Sequence, residues 1–349
     1  MKNTAFITGI TGQDGAYLAQ FLLEKGYEVV GGRKRCSQDD ASRLRSLGIE
    51  DSVKFVDFDL ADPYCVSDVI ASNRFDEVYN LGAQSFVGSS WSTPFQVTQV
   101  NAVGVLNILE SIRRTSPETR LYQASTSEMF GMVQEPIQSE RTPFYPRSPY
   151  GVSKLYAHWM TVNYRESYDL HFNSGILFNH ESPLRGKEFV TRKITSHLAE
   201  IKIGKRDRLR LGNLDAKRDW GYAKEYVEAM WKMLQKDKPD DYVIATGKNS
   251  TVRDFVNYAA CALDIEMDWD GAGLTERGYD RTTGRLLVEV APEFFRPSEV
   301  DTLVGCAAKA KRELGWEPTV SVEELSHLMA TYDLALQQGA SASPKLYAA

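Results

Sequence analysis

Short apolar runs alternate with amphipathic stretches through the first half of the chain. The apolar runs predict strands at residues 4–8, 28–31, 53–58, 77–81 and 120–124. The stretches between them carry apolar residues at helical spacing and predict helices at residues 16–25, 63–73 and 98–114. Strands and helices that alternate at this pitch are typical of a parallel sheet with helices on both faces. The pattern therefore predicts an α/β fold with a Rossmann-like, doubly wound parallel sheet.

The pattern loosens after about residue 177. Loops rich in Asn, Pro, Gly and basic residues are predicted at 179–187 and 212–221, and a glycine- and charge-rich surface loop at 268–286. A helix at 222–234 and a strand at 242–245 predict that the chain returns to the first domain. We expect a first domain of residues 1–177 joined by 215–246, a smaller, discontinuous C-terminal α/β domain of residues 178–214 and 247–335, and a disordered tail at 336–349.

Composition limits the partners that the chain is expected to have. With 349 residues, 42% hydrophobic and 25% charged, it is ordinary for a soluble globular protein. The formal net charge of -6 gives no bulk attraction to nucleic acid or to an anionic membrane. No run of about 18 apolar residues predicts a membrane span, and the apolar N-terminus is too short for a signal peptide. The four cysteines form no Cys-x-x-Cys pair, so we expect a cytoplasmic protein without a bound metal.

Polar or glycine-rich segments follow several of the predicted strands. The glycine turn at 9–15 follows the first strand, Asp59 follows the third, and the segments 81–85 and 125–128 follow the next two. Ligands of doubly wound sheets bind beyond the carboxyl ends of the strands. The sequence therefore predicts that these segments converge on one active site.

The segment at 9–15 reads Gly-Ile-Thr-Gly-Gln-Asp-Gly, between a predicted strand and a predicted helix. Glycines allow a tight turn that approaches a pyrophosphate, and the helix N-terminus supplies free N–H groups and a favourable dipole. The spacing is Gly-x-x-Gly-x-x-Gly, not Gly-x-Gly-x-x-Gly, and a glycine-rich turn without a ligand is the alternative. The residues expected to contact a dinucleotide are Gly9, Thr11, Gly12, Gln13 and Asp14.

The second predicted strand ends in a basic run. Arg33, Lys34 and Arg35 stand where an acidic residue would bind a ribose 2′-hydroxyl. Cations there favour a 2′-phosphate, so the sequence predicts NADP with Arg35 as a ligand. A solvated basic loop is the alternative. Asp59 and Leu60 are expected at the adenine edge, although an Asp at this point is also typical of a helix cap.

Four side chains carry the candidate chemistry. Tyr150 and Lys154 are four residues apart, which places them on one face of a helix. A neighbouring ammonium favours phenolate, so the tyrosine is expected to take a proton near neutral pH. Thr126 and Glu128 follow the fifth strand and suit a hydroxyl hydrogen bond and a second acid/base, with a surface carboxylate as the alternative for Glu128. The Tyr/Lys pair alone is a weak signal, but together with the segment 125–128 and the glycine turn at 9–15 it indicates a nicotinamide enzyme that removes a proton and a hydride from a carbinol.

Longer segments make the chain similar to a known family. They are 125–131 (Ser-Thr-Ser-Glu-Met-Phe-Gly), 144–150 (Phe-Tyr-Pro-Arg-Ser-Pro-Tyr), 179–186 (Asn-His-Glu-Ser-Pro-Leu-Arg-Gly), 217–221 (Lys-Arg-Asp-Trp-Gly) and 295–301 (Phe-Arg-Pro-Ser-Glu-Val-Asp). With the glycine turn, they resemble the GDP-mannose 4,6-dehydratases, which belong to the extended short-chain dehydrogenase/reductases. The resemblance spans roughly residues 4–335 and departs from many members at 36–52, which is shorter here.

The resemblance implies dehydration of GDP-mannose with NADP tightly bound and regenerated in each cycle. Tyr150, as phenolate, would take the O4 proton while hydride passes from C4 to NADP. Lys154 would lower the tyrosine pKa and hold the nicotinamide ribose, and Thr126 would hydrogen-bond the C4 oxygen. Glu128 would remove the C5 proton and help the 6-hydroxyl leave, before hydride returns to C6.

The resemblance also implies binding residues. His180 and Arg185 would lie near the nicotinamide and pyrophosphate of the cofactor. The segment after the fourth strand would line the cofactor site through Leu81, Gln84 and Ser85. Cations suit the two phosphates of a GDP-sugar, and the candidates in the second half are Lys193, Arg218, Arg253 and Arg296. Substrate contacts are expected from Ser85, Asn179, Lys193, Asn213, Arg218, Arg296 and Glu299. The first domain would thus bind NADP and the second the sugar nucleotide.

Two other functions are alternatives. One is an NADP-dependent reductase or epimerase of a 4-keto-6-deoxy sugar nucleotide on the same fold. The other is a non-catalytic NADP-sensing or scaffold protein, against which the complete set of catalytic residue types argues. The resemblance implies a homodimer or homotetramer. Amphipathic helices near 95–115 and 150–168 suit a subunit interface, although apolar stripes are also typical of a core.

Overall fold

Strands and helices alternate from the N-terminus, as the hydrophobic pattern predicts. The computed structural model describes residues 2–34, 41–294 and 302–340. The strands are β1 (Thr4–Thr8), β2 (Glu28–Arg33), β3 (Lys54–Asp57), β4 (Glu77–Asn80), β5 (Arg120–Thr126), β6 (Phe172–Leu177), β7 (Asn179–Glu181), β8 (Leu209–Leu211), β9 (Lys217–Arg218), β10 (Trp220–Tyr222), β11 (Asp241–Ile244), β12 (Ser250–Thr251), β13 (Met267–Asp270), β14 (Arg277–Asp280) and β15 (Leu286–Val290). The helices are α1 (Gln13–Glu24), α2 (Ser42–Ser46), α3 (Pro63–Asn73), α4 (Pro94–Thr98), α5 (Gly104–Thr115), α6 (Pro149–Tyr168), α7 (Val190–Lys202), α8 (Ala223–Leu234), α9 (Val252–Cys261), α10 (Ala308–Leu314) and α11 (Val322–Gln337).

The large sheet is parallel and has the strand order β11-β6-β5-β4-β1-β2-β3. Strand β1 pairs with β2 on one side and with β4 on the other, so that Ala5 lies beside both Val29 and Glu77. The strand order reverses between β1 and β4, which is where ligands of such sheets bind. Every residue of β4 and β6 is buried, because helices cover both faces of the sheet. The predicted doubly wound α/β fold is confirmed.

The strands predicted in the first half are β1 to β5, with ends that shift by a few residues. The predicted helix at 63–73 is α3, and its N-cap is Asp62, whose carboxylate accepts hydrogen bonds from the backbone N–H groups of Tyr64 and Cys65. The predicted helix at 98–114 is divided into a π-helix at Gln99–Val103 and α5. The predicted strand at 242–245 is β11, which pairs with β6 at the edge of the large sheet. The domain boundaries themselves stay a prediction.

The prediction of a surface loop at 268–286 is wrong. Strands β13 and β14 form an antiparallel pair there and join a sheet of order β13-β14-β15-β8. Met267 and Trp269 on β13 pack against a hydrophobic core, and the Trp269 ring lies over Gly278. The charged residues Asp268, Asp270 and Arg277 lie on the exposed face of this hairpin, while Gly278 gives room for the Trp269 ring on the packed face. The loops predicted at 179–187 and 212–221 likewise contain the short strands β7, β9 and β10.

A second hydrophobic core lies in the C-terminal half. Helices α7, α9 and α11 pack together beside the four-stranded sheet, and the core includes Ile194, Leu198, Phe255, Val288 and Met329. Capping boxes begin α9 at Thr251 and α11 at Ser321, where Asp254 and Glu324 complete the reciprocal hydrogen bonds. Among the helices described, none is both long and apolar enough to cross a bilayer.

Candidate active site

A cavity of about 670 Å³ opens beyond the carboxyl ends of β1, β4, β5 and β6. One wall consists of the segments that follow these strands, which we call the sheet wall. The facing wall, which we call the lobe wall, consists of nine residues: Arg185, Glu188, Phe189, Val190, Lys193, Leu211, Gly212, Glu293 and Phe294. The cavity brings together most of the site residues that the sequence predicts, namely Gly9, Thr11, Gly12, Gln13, Asp14, Leu81, Ser85, Thr126, Glu128, Tyr150, Lys154, Asn179, His180, Arg185 and Lys193.

The glycine turn leaves no room for side chains between β1 and α1. Gly9 has a φ of 67°, and a Cβ on it would lie 2.9 Å from the Gly82 Cα. A Cβ on Gly15 would lie 2.4 Å from the Gly9 carbonyl oxygen. The Gly12 N–H donates to that same oxygen at 2.9 Å, and Gly12 caps α1 without a side-chain hydrogen bond. The first turn of α1 therefore presents backbone N–H groups to the cavity, as a bound pyrophosphate requires.

The four candidate catalytic side chains meet where β5 ends and α6 begins. Thr126 is the last residue of β5, and a short 3₁₀ helix at Ser127–Met129 places Glu128 in the cavity wall. Helix α6 begins after Ser148, whose hydroxyl accepts the Gly151 N–H at 3.0 Å. Tyr150 and Lys154 therefore lie one turn apart on the first turns of α6, and both are buried.

Burial controls the proton affinities of this pair. It raises the pKa of Tyr150 to about 12, although the hydrogen bond with Thr126 lowers that pKa, and the charge of Glu128 raises it further. Burial also lowers the pKa of Lys154 to about 8. The Lys154 ammonium donates to the Ala124 carbonyl oxygen at 2.8 Å. The sequence predicts a phenolate near neutral pH. In the chain alone the pKa of Tyr150 stays raised, because desolvation by burial outweighs the hydrogen bond from Thr126 and the charge of Arg185.

A histidine and an aspartate connect the glycine turn to the segment after β6. His180 Nε2 lies 2.8 Å from an Asp14 carboxylate oxygen, and its Nδ1 lies 2.8 Å from the Phe178 carbonyl oxygen. Burial would raise the pKa of Asp14, but the charge and hydrogen bond of His180 outweigh burial and lower it to about 2. Burial would lower the pKa of His180, but Asp14 raises it above its ordinary value. The pair is therefore held as an ion pair at slightly acidic pH.

Arg185 is held from two sides at the border of the two walls. Its Nε lies 3.1 Å from a carboxylate oxygen of Glu181, and its guanidinium lies 3.6 Å from the centre of the Phe189 ring. The charge of Arg185 lowers the pKa values of Asp14 and Tyr150. This cation therefore acts on the same part of the cavity as the candidate catalytic groups.

Sequence reasoning missed several residues of the site. Asn101, in the π-helix, bonds to the backbone of Gln84 and donates to the Ser153 hydroxyl, so it joins the segment after β4 to α6. Arg43 donates to the carbonyl oxygens of Thr11 and Leu184 and so joins the glycine turn to the segment after β7. An asparagine inside a predicted helix is the one available signal. The cavity lining also includes Phe86, Trp91, Glu181, Glu188, Phe189 and Phe294.

Other predicted site residues are not among those that line the cavity. Asp59 accepts the Ala61 N–H and pairs with Lys34 at 2.7 Å, and Leu60 is part of a core. Gln84 is exposed, and the Asn213 side chain accepts the Asp215 N–H. The remaining two are the buried Arg218, which donates to the Lys217 carbonyl, and Arg253. Arg35, Arg296 and Glu299 lie outside the described residues.

Arg253 is engaged by carboxylates of the chain itself. Its guanidinium lies 2.7 Å from Asp215 and 2.6 Å from Glu276, and the Glu276 side chain is only 6% exposed. Because two carboxylates already compensate its charge, we expect Arg253 to stabilise the chain rather than to bind phosphate. Over the ranges 2–34, 41–294 and 302–340, no group of three or more His, Cys, Asp or Glu side chains is arranged to hold a metal ion.

The amino-acid sequence is similar to known proteins over almost its whole length. A family model described as GDP-mannose 4,6 dehydratase matches residues 6–329. The chain belongs to the GDP-mannose 4,6 dehydratase family. It is 48% identical to a GDP-mannose 4,6-dehydratase of Sinorhizobium fredii over 97% of this chain and 98% of that protein. It is also 48% identical to the GDP-mannose 4,6 dehydratase of Homo sapiens, over 97% of this chain and 93% of the human protein.

Solved structures share the fold of this GDP-mannose 4,6 dehydratase family member at lower identity. A dTDP-glucose 4,6-dehydratase from Bacillus anthracis in complex with NAD has a TM-score of 0.79 at 20% identity and covers 99% of both chains. RMD from Pseudomonas aeruginosa complexed with NADPH has a TM-score of 0.75 at 19% identity, over 96% of this chain and 100% of that one. These similarities confirm the Rossmann-type fold.

Proposed function

We propose that this chain is an NADP-dependent GDP-mannose 4,6-dehydratase. It would convert GDP-D-mannose to GDP-4-dehydro-6-deoxy-D-mannose and water. Membership of the family supports the reaction, and one observation of the structure carries its chemistry. Glu128 shares one cavity with Tyr150, Lys154 and the glycine turn, so a second acid/base stands beside a dehydrogenase-type pair. Simple oxidation of a carbinol has no use for that carboxylate, whereas an elimination needs it.

The residues of the sheet wall fit a nicotinamide dinucleotide. The glycine turn forms a cradle at the start of α1, and only glycine fits it, because a Cβ on Gly9 would meet the Gly82 backbone and one on Gly15 the Gly9 carbonyl oxygen. Gly9, Thr11, Gly12, Gln13 and Asp14 would hold the dinucleotide, and the basic end of β2 favours NADP over NAD. When bound, NADP supplies the hydride acceptor for C4 of the sugar and the hydride donor for C6. Equal affinity for NAD and NADP would refute the preference for the 2′-phosphate.

Tyr150 is the proposed base for the sugar O4 proton. With a pKa of about 12 in the protein alone, its hydroxyl is protonated at neutral pH, so it needs a nearby cation to act as a base. Lys154 lies one helical turn away and is fixed by its hydrogen bond to the Ala124 carbonyl. With an oxidised nicotinamide bound, Tyr150 would have a second positive charge nearby. Thr126 bonds to Tyr150 and would orient the O4 oxygen between the two side chains.

Glu128 is the proposed acid/base of the elimination. A ketone at C4 makes the C5 proton acidic, and Glu128 would remove that proton. The same carboxyl group would then protonate the departing 6-hydroxyl, so that the proton taken from C5 leaves in the water formed. Tyr150 would give the proton taken from O4 to C5 when hydride reaches C6, which restores the starting protonation state of both side chains. Glu128 is only 9% exposed and lies beside Tyr150, whose pKa its charge raises. Glu128 can therefore act at C5 while Tyr150 acts at the neighbouring C4.

The lobe wall is the proposed site of the GDP moiety. Lys193 is half-buried, and its ammonium lies 3.4 Å from the centre of the Phe294 ring. Burial lowers the pKa of Lys193, as does the charge of Arg210. A diphosphate at this point would relieve that repulsion and regain favourable charge pairing. Asn179 and Ser85 line the cavity and would hydrogen-bond the sugar or the phosphates.

We also propose that the chain forms a homodimer or homotetramer in the cytoplasm. Helix α6 exposes apolar side chains on the face that is opposite the cavity, with Val152 and Trp159 each 55% exposed and Tyr156 42% exposed. An apolar helical face of this kind supports self-association. Light scattering would measure the state directly, and a monomer at micromolar concentration would contradict this proposal. The free Cys65, Cys261 and Cys306 are consistent with a reducing compartment.

One incubation tests the proposed reaction. The purified chain is mixed with GDP-mannose and catalytic NADP without any added reductant, and the product is identified by mass spectrometry and NMR. A dehydratase yields a product lighter by one water with no net change in NADPH. A reductase of a keto sugar nucleotide would consume NADPH stoichiometrically, and an epimerase would leave the mass unchanged. Either of these results, or the absence of turnover, would refute the proposed function.

A further inference from the structure

A buried ion pair joins the last described helix to the loop that carries Arg185. Asp333 on α11 is 3% exposed, and Arg192 on α7 is 6% exposed. Arg192 Nη2 lies 2.5 Å from one carboxylate oxygen of Asp333, and Nε lies 2.9 Å from the other. The Thr195 hydroxyl donates to the same carboxylate at 2.7 Å. The carboxylate is therefore fully engaged in holding the arginine in one orientation.

The other side of the same guanidinium faces the backbone of residues 183–185. Arg192 Nη1 donates to the Pro183 carbonyl oxygen and also lies 3.3 Å from the Arg185 carbonyl oxygen. A planar guanidinium that is fixed on one edge presents its remaining N–H groups in fixed directions, which a lysine cannot do. The Asp333 carboxylate thus fixes the arginine, and the arginine fixes the backbone on both sides of Leu184.

That backbone determines where the Arg185 side chain lies. Arg185 lines the cavity, and its charge lowers the pKa values of Asp14 and Tyr150 on the sheet wall. Glu181 and Phe189 hold its guanidinium from the sides, while Arg192 holds its carbonyl oxygen from behind. Arg185 is therefore supported at both ends, and one of these supports reaches it from the far end of the chain.

We infer that Asp333 is a positioning residue for the cofactor site. It acts through Arg192 to hold residues 183–185 so that the Arg185 guanidinium faces the phosphates of a bound nicotinamide dinucleotide. This inference rests on the proposed function for the identity of the cofactor. A buried ion pair is a costly means of joining two helices, since apolar side chains of the same volume usually do so as well or better. The ion pair between α7 and α11 has a use that apolar side chains could not supply, because it orients the carbonyl groups of Pro183 and Arg185.

A second ion pair in the chain provides a matched control. Arg165 on α6 and Asp241 on β11 form a bidentate pair at 2.9 and 2.8 Å, with side chains only 13% and 16% exposed. Neither residue is among those that line the cavity. The replacement Asp241→Asn removes a carboxylate of similar burial and geometry. It should lower the melting temperature as Asp333→Asn does, without changing the affinity for the cofactor.

The test is a titration of the full chain with NADPH after removal of bound nucleotide, followed by nicotinamide fluorescence. We expect Asp333→Asn to raise the Kd about tenfold, a size typical of coupling within one hydrogen-bond network. Arg192→Lys keeps a cation beside Asp333 but cannot hold both carbonyl groups, so it should raise the Kd similarly. It also carries the test if Asp333→Asn does not fold. Asp241→Asn should leave the Kd within about twofold of the original.

A double-mutant cycle separates positioning from general stability. Arg185→Ala removes the side chain that the network is inferred to position. In that background Asp333→Asn should have no further effect on the Kd, although it still lowers the melting temperature. The inference is overturned if Asp333→Asn and Arg192→Lys leave the Kd unchanged, or if Asp333→Asn raises it by the same factor with and without Arg185. A wild-type chain that does not dehydrate GDP-mannose would refute the proposed function, while the NADPH titrations would still decide this inference.

Discussion

The two walls of the cavity differ in how their residues reach the site. On the sheet wall, the segments that hold Gly9, Leu81 and Thr126 lie at the ends of neighbouring strands of one parallel sheet, and the start of α6 adds Tyr150. In the C-terminal half, two predicted cations lie in different surroundings. Lys193 lies in the cavity, whereas Arg253 is paired with Asp215 and Glu276. The ends of the central strands β1, β4 and β5 thus bring predicted residues into the cavity, whereas the end of the edge strand β3 does not, and the role of a cation depends on its neighbours in space.

The largest effect is expected on the sheet wall, from Glu128→Gln. The amide keeps the shape of the carboxylate but cannot take the C5 proton, so kcat should fall by about 10²- to 10⁴-fold. The Kd for NADPH should stay unchanged, because the glycine turn is untouched. Steady-state rates with GDP-mannose and a fluorescence titration measure the two quantities. Glu118→Gln, at an exposed position, is the control. Normal turnover of the Glu128 variant would remove this residue from the mechanism.

The second prediction concerns Asp14 and His180. The lowered pKa of Asp14 stabilises the fold above its ordinary value of 3.8, and that contribution is lost as the pH falls through about 2. The raised pKa of His180 stabilises the fold below 6.5, and that contribution is lost as the pH rises through the folded-state value. The pair should therefore stabilise the fold most between pH 4 and 6.5, by about 2 kcal/mol.

The variant His180→Asn tests this dependence. Urea unfolding at pH 5 and at pH 9 gives the difference in free energy of unfolding between the original chain and the variant. That difference should be larger at pH 5 than at pH 9, because the asparagine carries no charge at either pH. The same difference at both pH values would show that the histidine contributes only neutral hydrogen bonds.

The third prediction compares two basic residues of the C-terminal half, Lys193 and Arg253. Lys193→Ala should raise the KM for GDP-mannose about tenfold, since it removes one charge-assisted contact with phosphate. Arg253→Ala should leave the KM within about twofold and instead lower the melting temperature, because it leaves the buried Glu276 unpaired. Kinetics and thermal melts of both variants measure these effects. A raised KM for Arg253→Ala would place that residue in the site after all.

The smallest effect on cofactor binding is expected from the replacement of a glycine, and two glycines with positive φ angles allow the comparison. Gly9 and Gly26 have φ values of 67° and 85°, so an alanine is strained at both positions. A Cβ on Gly9 would crowd the Gly82 backbone, whereas nothing lies within 4 Å of a Cβ on Gly26. Gly9→Ala should raise the Kd for NADPH about fivefold, and Gly26→Ala should only destabilise the fold, by about 1 kcal/mol. Equal Kd values for both variants would show that the cradle does not touch the cofactor.

Local patterns predict the sheet wall because each of its features depends on neighbours in sequence. The order of strand, glycine turn and helix at residues 4–24 and the spacing of Tyr150 and Lys154 are visible without any tertiary contact. The pattern fails at 268–286, where a hairpin with one packed face has the composition of a loop. It also gives no indication of Arg43, whose two carbonyl partners belong to distant segments.

The sequence by itself determined the fold class, the family and the residue types of the chemistry, because hydrophobic period and strand-end motifs are properties of short segments. Tertiary structure alone decided the proton affinities and the pairing of charges. Burial places the pKa of Tyr150 at about 12 and that of Lys154 at about 8, and neither value follows from a spacing of four residues. Asp333 reaches Arg192 across 141 positions of sequence, and only the packing of α11 on α7 brings the two together. The physical reason is that desolvation and Coulomb interactions depend on distance in space.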